Sequence, residues 1–258
     1  MSNIKNAFAG GKAFIPFITC GDPDIDTTYK VVIEAVNNGA DLIELGIPFS
    51  DPTAEGPVIQ EANIRALSGG ITTDKVFDLV RKLRETVTIP LVFMTYANVV
   101  FSYGADRFIR TCSEVGIDGL IIPDIPYEEK EEFTPYCDKY DVDLISMIAP
   151  TSEDRIAKIA KEAKGFIYVV SSMGVTGTRS SFSNDLSHIT EKIREVTDVP
   201  CAIGFGISNP EQAEKMASIS DGAIVGSAII KILAQYGKDA PSKVGEFVKS
   251  MKDAVRKA

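Results

Sequence analysis

Eight short apolar runs punctuate this sequence from end to end, each followed by a stretch of helical period. The runs are residues 14–20, 42–47, 91–96, 119–123, 144–148, 166–171, 201–205 and 222–225. They are rich in Ile, Val and Phe, and most are apolar at both odd and even positions, the pattern of strands buried on both faces. Amphipathic stretches at 27–38, 73–86, 105–115, 128–140, 152–163, 185–196 and 210–217 fill the intervals. Eight βα units in 258 residues predict an α/β fold, a closed (β/α)8 TIM barrel formed as one domain over 1–258. An open doubly wound sheet is the alternative. It normally carries fewer strands and a Gly-rich fingerprint after the first, and Thr19-Cys-Gly-Asp-Pro23 is no such fingerprint.

The strand entries echo one another. Gly39-Ala-Asp-Leu-Ile, Gly116-Ile-Asp-Gly-Leu-Ile and Ser220-Asp-Gly-Ala-Ile-Val repeat one helix-to-strand turn, and Thr88-Ile-Pro-Leu and Asp198-Val-Pro-Cys repeat another. The connection between strands 2 and 3 is long enough for a loop at 48–58 and two helices. A polar segment at 172–184 follows strand 6, and a short helix from Ser227 precedes the final one at 242–257. Loops after barrel strands lie at the catalytic end, so 48–58 and 172–184 are the lid candidates.

Charge and rare residues narrow the chemistry. Lys plus Arg is 27 against 36 for Asp plus Glu, a net charge of −9 that argues against nucleic acid and anionic membrane as partners. The four cysteines are widely spaced and read as reduced thiols of a cytoplasmic protein, and no run is long enough for a membrane span or a normal signal sequence. A single histidine, His188, falls near a helix start and reads as a surface residue. No strand carries a lysine for a Schiff base, and no His/Asp/Glu cluster has the look of a metal site.

Carboxylates remain. Glu44 interrupts Asp41-Leu-Ile-Glu-Leu-Gly-Ile-Pro48, in the middle of an apolar strand and near its C-terminal end. Burial there requires an ion pair or a raised pKa, and the strand runs hold no Lys or Arg to supply the pair. A carboxyl group titrating near neutrality can both give and take a proton. Glu55 lies in Phe49-Ser-Asp-Pro-Thr-Ala-Glu-Gly-Pro57, a loop restrained by two prolines and a glycine. On chemistry alone a solvated loop residue is the better reading of it, and Asp51 competes with it for any role.

Glycines recur after the last three strands, in Gly174-Val-Thr-Gly177, Gly204-Phe-Gly-Ile-Ser-Asn-Pro-Glu211 and Val225-Gly-Ser-Ala228. Such turns let backbone N–H groups approach an anion, and barrels often hold phosphate between the loops after strands 7 and 8 and an extra helix. Helix capping alone is the plainer reading of any one of them. Asp124 and Tyr168 could line the pocket with Phe17, Met94 and Tyr96. Without a lysine or a metal, cleavage of a carbon–carbon bond needs an electron sink in the substrate, and an indole protonated at C3 supplies one. Composition and spacing stop at a phosphate-binding barrel with a carboxylate acid–base pair.

The segment Glu44-Leu-Gly-Ile-Pro-Phe-Ser-Asp-Pro-Thr-Ala-Glu-Gly-Pro-Val-Ile-Gln60 resembles the signature of the tryptophan synthase alpha subunit family. So do Phe17-Ile-Thr-Cys-Gly-Asp-Pro23, Met94-Thr-Tyr-Ala-Asn98, Pro123-Asp-Ile-Pro126, Gly174-Val-Thr-Gly177, Gly204-Phe-Gly-Ile-Ser208 and Gly226-Ser-Ala228, in order along the whole chain. The resemblance implies a barrel lyase that cleaves indole-3-glycerol phosphate to indole and glyceraldehyde 3-phosphate. It implies Glu44 as the proton-transferring group and Glu55 as partner of the indole N–H, at a position where the family usually has aspartate. Thr176 would orient that second carboxylate. Gly177, Gly206, Gly226 and Ser227 would hold phosphate, and Phe17, Tyr96, Asp124 and Tyr168 would surround the indole and glycerol parts.

The resemblance further implies a tryptophan synthase beta subunit as partner, in an alpha2beta2 assembly. Pyridoxal phosphate belongs to that partner and no cofactor to this chain. Asp51, Asn98 and Pro126 match positions near the interface, and the partner is expected to activate the alpha chain. Two rival readings share many of these features. One is another phosphate-binding barrel enzyme of the same pathway, the other a catalytically weak subunit that mainly activates its partner.

Overall fold

Every apolar run becomes a strand in the computed structural model, which describes residues 3–150, 153–171, 179–204 and 206–258, with backbone alone at 179–185. The strands are β1 (Ala13–Thr19), β2 (Ile43–Gly46), β3 (Leu91–Met94), β4 (Gly119–Ile121), β5 (Asp143–Leu144), β6 (Ser146–Ile148), β7 (Ile167–Val170), β8 (Cys201–Gly204) and β9 (Gly222–Val225). They pair in parallel, in the order β5-β4-β3-β2-β1-β9-β8-β7-β6. The two edge strands, β5 and β6, are halves of one run parted at Ile145, the first paired with β4 and the second with β7. The chain thus joins the two edges of the sheet to each other. This is the expected (β/α)8 barrel, with its fifth stave bent where it changes neighbours.

Register decides which side chains face the interior. Phe17 lies opposite Glu44, Glu44 opposite Val92 and Val92 opposite Gly119. On the other side Met147 lies opposite Tyr168 and Tyr168 opposite Ala202. Side chains alternate across a strand, so these residues share the barrel interior, and small ones leave room for large ones. A Cβ on Gly46 would stand 2.6 Å from the Phe17 ring, and one on Gly204 would overlap the Tyr168 hydroxyl. Glycine at those two positions lets the aromatic rings lie across the mouth.

The repeated turn before strands 2, 4 and 9 has a physical purpose. Asp41, Asp118 and Asp221 each accept the backbone N–H of the neighbouring strand's entry, from Phe14 (2.7 Å), Leu91 (3.0 Å) and Cys201 (2.9 Å). Each carboxylate also meets a cation, respectively Lys252 (2.6 Å), Arg84 (2.7 Å) and Arg194 (3.4 Å). The pairs satisfy strand-entry amides at the end of the barrel away from the candidate site. There Ile4, in the 3-10 turn Ile4–Phe8, is fully buried.

Helices Pro57–Ser68 and Thr73–Arg84 fill the connection from β2 to β3, and helix Ser227–Tyr236 precedes the final helix, Ala240–Val255. Both additions match expectation. The stretch 128–140 does not form one helix. It divides at the buried Phe133 into a 3-10 turn, Tyr127–Glu132, and helix Thr134–Tyr140, because Pro135 in the first turn cannot continue a preceding helix. Helix Ala97–Tyr103 lies between the run at 91–96 and the stretch at 105–115, in a segment to which the sequence assigns no element. Gly104, at φ +91°, separates it from helix Ala105–Val115.

Candidate active site

Glu44 is 1% exposed, and its Oε2 has no hydrogen-bond partner among the described residues. The Thr19 hydroxyl, one interior layer nearer the strand end, shares that condition. Burial pushes the Glu44 carboxyl up to about 8, and the nearby charge of Glu55 adds to the effect. An ionised carboxylate in such surroundings would need a cation, and none is paired with it among the described residues. Holding a proton at neutral pH is the less costly state.

Glu55 is half-buried in the loop between β2 and helix Pro57–Ser68. Burial raises its carboxyl to about 6, while a hydrogen bond from Asn63 favours the charged form. Asn63 Nδ2 donates to Glu55 Oε2 at 2.6 Å, and Gln60 Nε2 donates to the Glu55 backbone carbonyl at 2.8 Å. The loop is also tied to β3, because Ala54 N–H donates to the Tyr96 hydroxyl at 3.1 Å and Phe49 packs on the Tyr96 ring. Asp51, by contrast, is exposed and accepts from Ser50 at 2.5 Å. Between the two loop carboxylates, Glu55 is the one aimed inward.

Tyr168 approaches Glu44 closely enough that the Glu44 charge adds to burial in holding its phenol well above the usual range. Tyr96 is buried and its phenol is raised as well, by burial first and then by Glu55 and Asp124. Phe17 bridges the acid–base end and the glycine end, since a Cβ on Gly226 would lie 3.3 Å from its ring. Gly226 caps helix Ser227–Tyr236 without a side-chain bond, and its carbonyl accepts from Ile229 (2.9 Å) and Ile230 (3.1 Å). The first helical amides, Ser227 and Ala228, have no carbonyl within the helix and carry the positive end of its dipole. Gly206, just after β8, has φ +72°.

Asp124 stands at the rim, exposed, with Oδ1 accepting from the Ala97 N–H at 3.0 Å; it fixes the start of helix Ala97–Tyr103 just after Tyr96. Thr176 and Gly177, with the rest of 172–178 and Phe205, lie outside the described residues. His188 is on the surface, 2.8 Å from Glu153. All four cysteines are free and buried, and burial pushes the Cys20 thiol up to about 12.

Sequence reasoning gave Asn63 and Gln60 no role. A signal was present for the first. Ala62, Asn63 and Ala66 form the buried face of their helix, and a lone amide on an apolar face needs a partner.

A family model described as Tryptophan synthase alpha chain matches residues 3–256. The chain is 50% identical over 255 residues to a tryptophan synthase alpha chain of Lacticaseibacillus casei, covering 99% of this chain and 96% of that one. It is 48% identical over 256 residues to that of Lactiplantibacillus plantarum, covering 99% and 97%. Among solved structures, tryptophan synthase subunit alpha from Legionella pneumophila superposes with a TM-score of 0.90 at 35% identity, covering all of both chains. A chain of aminoacrylate-bound tryptophan synthase from M. tuberculosis superposes at 0.88 with 28% identity, covering 99% of this chain and all of that one.

Proposed function

Since this chain belongs to the tryptophan synthase alpha chain family, lyases that cleave indole-3-glycerol phosphate in tryptophan biosynthesis, we propose that it does so through Glu44 and Glu55 as an acid–base and electrostatic pair. Protonated Glu44 gives its proton to ring C3, and the positive charge that develops reaches the ring N–H. Glu55 accepts a hydrogen bond from that N–H and is ionised when it does so. Glu44, now a carboxylate, takes the proton of the side-chain hydroxyl. The bond between ring and side chain breaks, its electrons return to the ring as indole, and the hydroxyl carbon becomes the aldehyde of glyceraldehyde 3-phosphate. The observation that carries this reading is the pairing of an interior carboxyl, whose Oε2 has no hydrogen-bond partner among the described residues, with a second one gripped by an amide.

The two carboxyls are displaced by different amounts, to about 8 and about 6. The productive form has Glu44 protonated and Glu55 ionised. We therefore expect a bell-shaped pH profile of kcat/KM with apparent limbs near 6 and 8. The rate falls below the first limb as Glu55 gains a proton and above the second as Glu44 loses one. A flat profile between pH 5 and 9 would contradict the assignment of roles.

Gly206, Gly226 and Ser227 are proposed to hold the phosphate, with Thr176 and Gly177 joining from the segment after β7. Phe17, Tyr96, Asp124 and Tyr168 are proposed to enclose the rest of the substrate. Ser227→Asp tests the cradle, because an acidic residue at a helix start favours the helix itself but repels a bound phosphate. KM for indole-3-glycerol phosphate should rise roughly tenfold or more, with a smaller change in kcat. An unchanged KM places the phosphate elsewhere.

Alpha chains of this family work with a beta subunit, and the alpha family is not itself a pyridoxal phosphate family. We place the partner over the mouth, where Leu67 and Asn98 face one groove and Ile64 and Phe101 are exposed on the same two helices. An alpha2beta2 assembly, with pyridoxal phosphate on the partner and none on this chain, is the proposed arrangement of a cytoplasmic enzyme. Among the described residues no helix is long and apolar enough to cross a membrane. Purified chain should release indole from indole-3-glycerol phosphate, and a saturating beta subunit should speed it. Release only in the presence of the beta subunit would favour the weak-subunit reading.

A further inference from the structure

Helix Pro57–Ser68 grips Glu55 with two side chains, and a third holds the helix itself. Asn63 binds the carboxylate and Gln60 the backbone carbonyl. Arg65 reaches to Asp22 and makes two parallel hydrogen bonds, Nε to Oδ1 and Nη2 to Oδ2, both 2.7 Å. Asp22 is 1% exposed and lies in the turn that leaves β1, the strand on which Phe17 pairs with Glu44. That turn is itself pinned, because Gly21 N–H donates to the Thr28 hydroxyl at 3.0 Å. One fork thus ties the helix carrying both grips on Glu55 to the stave beside Glu44.

We propose that Asp22 and Arg65 are positioning residues for the reaction, fixing where the Glu55 carboxylate stands relative to Glu44 by anchoring the helix that carries Asn63. The proposal rests on the reading of Glu55 given above. A bidentate fork fixes orientation as well as distance, which a single contact from a lysine cannot do. A buried aspartate also has no cheap alternative arrangement once its cation is removed. Displacements of about 1 Å at a reacting group commonly cost on the order of 100-fold in rate. Neither residue touches substrate in this account; their effect runs through Asn63 and Glu55.

A double-mutant cycle in indole release by the full chain separates positioning from general support of the fold. Arg65→Gln should lower kcat about 30-fold or more with KM changed less than about threefold, and Arg65→Lys should fall between. In a Glu55→Gln background the same Arg65→Gln change should cost less than about threefold, since the group it positions has already lost its charge. Equal losses in both backgrounds would overturn the proposal. If Glu55→Gln alone leaves the rate intact, it is the role of Glu55 that fails, a distinct result. Should Arg65→Gln not fold, Arg65→Lys and the isosteric Asp22→Asn carry the same comparison, with a normal melting transition as the condition for reading it.

Discussion

Glu44→Gln is expected to lower indole release by about 1,000-fold or more, because the amide keeps the shape of the side chain but can neither give nor take the proton. The variant should remain folded. Wild-type Glu44 is displaced upward to about 8 from an ordinary value of 4.5. Between those two values the unfolded chain has lost a proton that the folded chain still holds, so this carboxyl makes folding less favourable as pH rises. Below about 4.5 both states are protonated and the penalty vanishes. Each unit of displacement corresponds to about 1.4 kcal/mol, and the penalty reaches the order of a few kcal/mol by pH 8. Glutamine has no such proton to lose. The variant should therefore melt at or above the wild-type temperature, by a margin that widens from pH 5 to 8. Loss of activity with a gain in stability is a combination that few structural residues would show. A variant that melts lower at every pH would mark Glu44 as a packing residue.

The second large effect concerns Glu55. Glu55→Ala removes the ionised partner of the ring N–H and leaves Asn63 facing a void, and the rate should fall by roughly 100-fold. Glu55→Asp should recover most of it, to within about tenfold of wild type, because the charge is what the reaction uses. The shorter side chain gives up one methylene of reach, so the loop must advance to keep the 2.6 Å contact with Asn63. Loop 48–56 is tied through the Tyr96 hydroxyl to Ala54 and can transmit that adjustment only partly. An aspartate variant as damaged as the alanine variant would show that the Tyr96 and Asn63 contacts are built around glutamate.

Much of this was legible in the residues. The barrel followed from apolar runs that alternate with amphipathic ones, and the repeated Asp before strands 2, 4 and 9 marked a turn whose use as an amide acceptor exists only once neighbouring strands pair. Glu44 stood out because a charge inside an apolar strand is expensive, a local signal. Glu55 did not, because its burial depends on helix Pro57–Ser68 folding back over the loop, and no local pattern encodes that. The Asp22–Arg65 fork was hidden for the same reason, because its partners are distant in sequence and meet only once β1 and β2 have paired. The split of 128–140 at Phe133 shows the opposite error, a helical period that continued through a proline it should have respected.

The most direct test of the account is the ionisation of Glu44 itself. Carbon-13 NMR of chain labelled at glutamate side-chain carboxyls, with Glu44→Gln used to identify the resonance, reports its midpoint without reference to turnover. The account predicts a resonance that remains protonated at pH 7 and titrates near 8. A midpoint between 4 and 5, the range of an ordinary glutamate, would contradict it, for the group would then have no proton to deliver to the ring.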